Sequence, residues 1–295
     1  MKKYFDHFFY SDKWNIGYVN QSAKNFIQQR GLNENITWLK ESNSDYSADP
    51  FVIFHQSKVY VFYEELKTIL SKGEINVITG YDFSTKKRVK GIQPSGIHLS
   101  YPYIFTVKDV IYCIPETGSA NEVALYQVNP LRMNEVSKLR TLLKGKSFVD
   151  TSIVYFHQKF WLFTSISGEP NLFYIYYADS LEDEFKPHTA NPIATDNKNF
   201  RSAGNLFVVD DKLFRPTQNM EITYGGSVII NEIIELTENT FKSENLFEVK
   251  PKAPYGKGLH NISLLSDTIV FDGKRSYFSP MVVVKKVIRK MMSIK

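Results

Sequence analysis

Five short segments of this chain open with residues able to move protons or hold charged groups. Asp49, Tyr101, Asp150, Arg201 with Ser202, and His260 stand at spacings of 52, 49, 52 and 58 residues, counted through Ser202. A second set follows within the same segments: Glu64 and Glu65, Glu116, Arg215 and Gln218. A positioned carboxyl group can take a proton from a hydroxyl or give one to a leaving oxygen. A guanidinium binds phosphate or carboxylate through two parallel hydrogen bonds. Taken singly, each residue has an ordinary role. Asp49 precedes Pro50 in a turn-like pair, Asp150-Thr151 could cap a strand, each arginine could pair with an acid between sheets, and His260 could be a hydrogen-bonded core histidine. Recurrence at one place in the repeat is what argues for a shared site, with Asp49, Asp150 and Glu116 as candidate catalytic groups. Tyr101, Arg201, Arg215, Gln218 and His260 are candidate substrate-binding groups.

The repeat also says what must position them. Each copy is a hairpin of two apolar, aromatic-rich runs around a short polar turn. The copies are Ala48–Glu65, Ser100–Thr117, Val149–Ser165, Arg201–Gln218 and, more weakly, Leu259–Lys274. Third-strand candidates follow at Glu122–Val128, Asn171–Asp179 and Ser227–Leu236. A unit of about 50 residues matches one four-stranded propeller blade. The fold class expected is therefore all-β: a five-bladed β-propeller over 1–280. The unpaired N-terminal run Lys13–Val19 would complete the last blade and close the ring, leaving few strand edges. A β-sandwich or separate β domains are the alternatives, and the regular period argues against both. Helix is expected near Val19–Arg30. In a propeller the inner strands line the central channel, so their matching ends would meet in one funnel.

The chain has 295 residues, 15% of them aromatic, and a net charge of +5. That charge is concentrated: MVVVKKVIRKMMSIK at 281–295 carries five bases and no acid, and the rest balances. The body thus has no bulk-charge case for nucleic acid. The tail reads as a short basic amphipathic C-terminal helix suited to an anionic membrane surface. A single cysteine, Cys113, excludes an internal disulfide and a cysteine-based zinc site. His55, His157 and His188 lack metal-ligand spacing, and Asp210-Asp211 reads as a hairpin turn, so no metal ligands are expected. Asp6 and His7 interrupt the N-terminal apolar run, a poor fit to a signal peptide. The expected location is cytoplasmic, peripheral at the inner membrane face.

The Asp49-Pro50 blade opening resembles that of five-bladed carbohydrate-active proteins such as family 43 glycoside hydrolases. On that resemblance Asp49 matches the general base and Asp150 a second, pKa-tuning aspartate. The position implied for the general acid holds Arg201-Ser202-Ala203-Gly204, which has no carboxylate. A broader resemblance is to the N-terminal domain of glucosamine inositolphosphorylceramide transferase and its bacterial relatives. It is carried by Trp14-Asn15-Ile16-Gly17, Ala48-Asp49-Pro50-Phe51, Ile114-Pro115-Glu116, Asp150-Thr151, Arg201-Ser202-Ala203-Gly204, Arg215-Pro216 and Tyr224-Gly225.

These resemblances imply sugar chemistry. The expected function is a membrane-peripheral glycosyltransferase of bacterial surface polysaccharide assembly. It would take a nucleotide sugar as donor, with Arg201 and Arg215 on the diphosphate, and a glycan or lipid-linked acceptor, with no cofactor. A family 43-type hydrolase and a non-catalytic glycan-binding propeller are the alternatives.

Overall fold

The computed structural model describes residues 10–42, 44–66, 72–196 and 198–279. The basic tail at 281–295, expected to be helical, lies outside the described residues. The described chain forms a five-bladed β-propeller, as the repeat requires. It begins with β1 (Tyr10–Asn20), a single α-helix α1 (Ala23–Gln29) and β2 (Thr37–Trp38). Blade one follows with β3 (Tyr46–His55), β4 (Lys58–Leu66), β5 (Gly73–Thr79) and β6 (Lys87–Arg88). Blade two is β7 (Ser100–Val107), β8 (Val110–Glu116), β9 (Glu122–Val128) and β10 (Val136–Lys144). Blade three is β11 (Phe148–Phe156), β12 (Lys159–Ile166) and β13 (Leu172–Ala178), the last flanked by β14 (Lys186–Pro187) and β15 (Ile193–Ala194). Blade four is β16 (Phe207–Val209), β17 (Lys212–Asn219), β18 (Ser227–Leu236) and β19 (Phe241–Val249).

Blade five closes the ring. Its inner strands β20 (Ile262–Leu265) and β21 (Thr268–Phe278) come from the end of the chain, and β1 and β2 from its start. β1 pairs antiparallel with β21 over eleven consecutive residues, from Tyr10↔Phe278 to Asn20↔Thr268. The N-terminal strand therefore does complete the last blade. It sits third, and Thr37–Trp38 supplies the outer strand that the fifth repeat lacked. α1 is capped by Ser22, whose hydroxyl accepts from the Asn25 N–H, and it packs Phe26 against Phe207 and Phe247.

Both faces of the middle strands are covered by neighbouring blades, which is why their runs are more apolar than strict alternation would give. Phe51, Phe62, Tyr126, Phe163, Phe214 and Phe271 are all fully buried between blades. The inner strands are also drawn tight. At Gly204 (φ +123°) an added Cβ would stand 1.8 Å from the Ile262 carbonyl oxygen, so the approach of blades four and five requires glycine.

Candidate functional site

One backbone device recurs at the opening of three blades. In β3 the residues Asp49-Pro50 face Tyr63 alone, because the ladder steps from Ala48↔Glu64 to Phe51↔Phe62. The same two-against-one bulge occurs at Tyr101-Pro102 and at Asp150-Thr151. The first residue of each bulge is left-handed, with φ of +50° at Asp49, +42° at Tyr101 and +49° at Asp150. A non-glycine residue in this region costs on the order of 1–3 kcal/mol and persists only where its surroundings enforce it. Aspartate tolerates it better than tyrosine does. The bulge breaks strand alternation near the start of each of these inner strands.

Neighbouring blades hold these strained residues. The Asp150 N–H donates to Glu116 Oε2 of blade two at 2.9 Å. The Asp49 N–H donates to Asp272 Oδ2 of blade five at 3.0 Å. Asp272, wholly buried in β21, also accepts the His260 and Asn261 N–H groups through Oδ1 at 2.9 and 3.1 Å. The His260 Nδ1 lies 2.6 Å from Asp272 Oδ2, and its Nε2 lies 3.6 Å from Asp49 Oδ1. Trp14 of β1 stacks on the imidazole at 4.2 Å between ring centres, and Tyr224 meets it edge-on at 5.4 Å. The Arg201 guanidinium pairs with Asp150 and lies over the Tyr224 ring, and Gln218 Nε2 reaches Asp150 Oδ2 at 3.3 Å. Tyr224 is half exposed, so it forms the rim of the cluster.

Asp49, Glu116, Asp150, Arg201, Gln218 and His260 are thus brought together, and two other expected residues are not. Tyr101 is buried against Phe51. Its hydroxyl bonds Ser152 Oγ at 2.8 Å and both backbone groups of Gly204, which leaves no capacity for a ligand. Arg215 lies between blades three and four, where its terminal nitrogens donate to the Asn199 and Phe200 carbonyls and its plane covers the Phe173 ring at 4.3 Å. A guanidinium buried and engaged in this way does not serve an incoming phosphate. Of the adjacent acids on β4, Glu64 faces the acid cluster and Glu65 turns outward to Lys86 and Ser44, as strand alternation requires.

Asp272, Trp14 and Tyr224 were missed as site residues. Trp14 and Tyr224 belong to phrases that carry the family resemblance, and Asp272 lies within the fifth repeat, so each had a signal. Asp210 of the hairpin pair is an exposed turn residue salt-bridged to Lys24.

The site is rich in acid: Asp49, Glu64, Glu116, Asp150 and Asp272 against Arg201 and His260. Burial, reinforced by the Asp272 and Asp150 charges, pushes the Asp49 carboxyl up to about 6 despite His260 and Arg201. Burial and the Asp150 charge push Glu116 to about 7. Glu64 is raised for the same reasons, burial first and then Asp49. Burial alone would lower the His260 pKa, but Asp272 and Asp49 outweigh it and the net shift is upward. Among the described residues, donor atoms of Asp49, His260 and Asp272 come within 4.8 Å of one another, a spacing a cation could use. The protonated His260 ring would ion-pair with both carboxylates at these distances.

Glu116 gives a signed test. Its folded pKa lies above the ordinary 4.5, so the fold favours the neutral acid. The associated stability is complete below about pH 4.5 and is lost as pH rises through about 7. Glu116→Gln keeps an acceptor for the Asp150 N–H and removes the charge. Its melting temperature should exceed that of the parent at pH 8, by roughly 2–4 °C for each kcal/mol recovered. The gap should close near pH 4.5. Calorimetry at the two pH values checks this.

Residues 34–257 match the family model described as glucosamine inositolphosphorylceramide transferase 1, N-terminal. The chain belongs to that family. The glucosamine inositolphosphorylceramide transferase 1 of Oryza sativa subsp. japonica is 30% identical over 208 residues, covering 68% of this chain and 28% of the rice protein. The Arabidopsis thaliana protein of that name is 27% identical, covering 68% and 27%. This chain therefore spans little more than a quarter of the length of these relatives. The fold is shared with solved structures at low identity. The catalytic domain of a GH62 α-L-arabinofuranosidase from Coprinopsis cinerea superposes with a TM-score of 0.58 at 13% identity, covering 88% of this chain and 85% of that one. An α-L-arabinofuranosidase from Podospora anserina, solved with cellotriose, gives 0.57 at 11%, covering 78% and 82%. For this member of the family, the matched segment takes in the bulges at Asp49, Tyr101 and Asp150 together with Glu116, Arg201 and Tyr224. It stops before His260 and Asp272.

Proposed function

We propose that this propeller acts on a glycosidic bond at the mouth of its channel. Transfer of the sugar to an acceptor hydroxyl is the finer reading. The observation that supports it is the joining of Asp49, Glu116 and Asp150 across three blades, with two of the carboxyls raised into the range where acids and bases work near neutral pH. In this reading Glu116, protonated below about pH 7, gives a proton to the leaving oxygen. Asp49, ionised above about pH 6, accepts one from the attacking hydroxyl. Asp150, tied by Arg201 and Gln218, fixes the geometry between them, and the exposed Tyr224 ring offers a face to a sugar. The family name supports transfer. A water molecule in place of the acceptor would make the same site a hydrolase.

The donor is proposed as a glycoside without a phosphate linkage. Arg215 is engaged within the protein and Arg201 is paired with Asp150, so neither guanidinium is left for a diphosphate. A nucleotide sugar is the rival donor. Surface-polysaccharide assembly and an anionic membrane partner for residues 281–295 are carried by the sequence alone.

Incubation of the chain with aryl glycosides and oligosaccharides, in parallel with nucleotide sugars, and product analysis by NMR tests the proposal. New glycosides formed from sugar donors support it, and released reducing sugar alone supports the hydrolase. Turnover confined to nucleotide sugars overturns the choice of donor. No bond made or broken with any donor overturns the catalytic reading.

A further inference from the structure

Asp272 and His260 hold more of Asp49 than its backbone. Asp272 Oδ2 sits between the Asp49 N–H, at 3.0 Å, and the His260 Nδ1, at 2.6 Å. The far nitrogen of the same ring faces Asp49 Oδ1 at 3.6 Å. The ring is confined on its other sides. Trp14 covers one face, Tyr224 meets it edge-on, and the Gly225 position has no room for a Cβ, which would stand 2.9 Å from His260 Cβ. His260 and Asp272 are 4% and 0% exposed, so solvent screens this charge pair poorly. The groups facing the imidazole are Asp272 from β21, Asp49 from β3, and Asp150 at longer range from β11. Arg201 of blade four acts on Asp49 in the same sense as His260.

We propose that Asp272, His260 and Asp49 form a positioning triad. Asp272 fixes the His260 imidazolium, and the imidazolium holds Asp49 in the ionised form that can accept a proton. The proposal rests on the reading of Asp49 as a base, but the coupling it describes exists whether or not a sugar is turned over. Asp272 aims the ring and holds the left-handed Asp49 backbone, so one buried carboxylate sets both the place and the charge of Asp49. The fixed cation offsets part of the burial that would otherwise keep Asp49 protonated. His260 is a positioning residue here, with no direct part in bond breaking.

The test is a carbon-13 NMR titration of the full chain labelled at aspartate Cγ, with Asp49→Asn identifying the Asp49 resonance. In His260→Gln the Asp49 midpoint should rise by about 1–3 units, the usual effect of a close opposite charge. In the parent, the His260 ring should titrate above an ordinary histidine, and Asp49→Asn should lower its midpoint. Where a substrate has been found, the acid limb of the pH–rate profile should move upward in His260→Gln by the same amount. An unchanged Asp49 midpoint in folded His260→Gln overturns the triad. A shifted midpoint in a protein with no activity on any sugar would uphold the triad and count against the catalytic reading alone.

Discussion

Asp272→Ala should lower the unfolding free energy by about 3–5 kcal/mol, the usual loss when one partner of a buried charged pair is removed. Three backbone N–H groups, from Asp49, His260 and Asn261, would lose their acceptor at once, and the His260 ring would lose its ion pair. A buried donor left unsatisfied costs about 1–3 kcal/mol. The chain's first blade and last blade meet through this residue, so the damage falls on ring closure. Asp272→Asn retains an oxygen for part of the set and should lose less. Denaturant unfolding of the three proteins, followed by far-UV circular dichroism, checks the order. An alanine variant within about 1 kcal/mol of the parent would mean that water replaces the carboxylate and that the seam does not depend on it.

Asp49→Asn should lower turnover by about 100- to 10,000-fold, the usual worth of a positioned general base, while leaving the fold intact. Asparagine adopts left-handed backbone readily. The N–H that Asp272 accepts is unchanged. Removal of a carboxylate whose pKa burial has raised relieves a cost above about pH 6. Activity and stability should therefore part company, with the rate collapsing and the melting temperature holding or rising at pH 8. Parallel assays and thermal melts read both. If the melting temperature falls in step with activity, Asp49 is a residue of the turn and not of the chemistry.

The architecture was legible because it is written in repetition. Hairpins such as Ala48–Glu65 and Val149–Ser165 appear in the sequence as they stand in the fold, and the orphan run Lys13–Val19 signalled ring closure. The third strand at Glu122–Val128 matches its sequence boundaries. The site was legible where one position repeats, at Asp49 and Asp150. It was not legible where a side chain's direction decides. Tyr101 occupies the same bulge as the two aspartates, but its length carries the hydroxyl to the Gly204 backbone. Arg215 and Gln218 are three residues apart on β17, so alternation sends them to opposite faces, one between blades and the other toward Asp150. Asp272 escaped notice because its register differs from that of Glu116. Asn261 and Asp272 follow directly on the Ile262↔Phe271 pair, with no added residue on the inner strand.

The seam between the last blade and the first has a consequence for synthesis. Asp49 is made early and Asp272 late, 223 residues apart, and β21 must emerge before β1 can be paired along its length. A nascent chain can stack blades one to four as they appear, since each is local in sequence. The left-handed turn at Asp49 has no acceptor for its N–H until the final strand arrives. Long-range pairing of this kind is slow to form. A ribosome-bound or truncated chain ending before residue 272 would hold most of a propeller with the acid cluster unformed, so the turn at Asp49 would be completed only after the last blade has emerged.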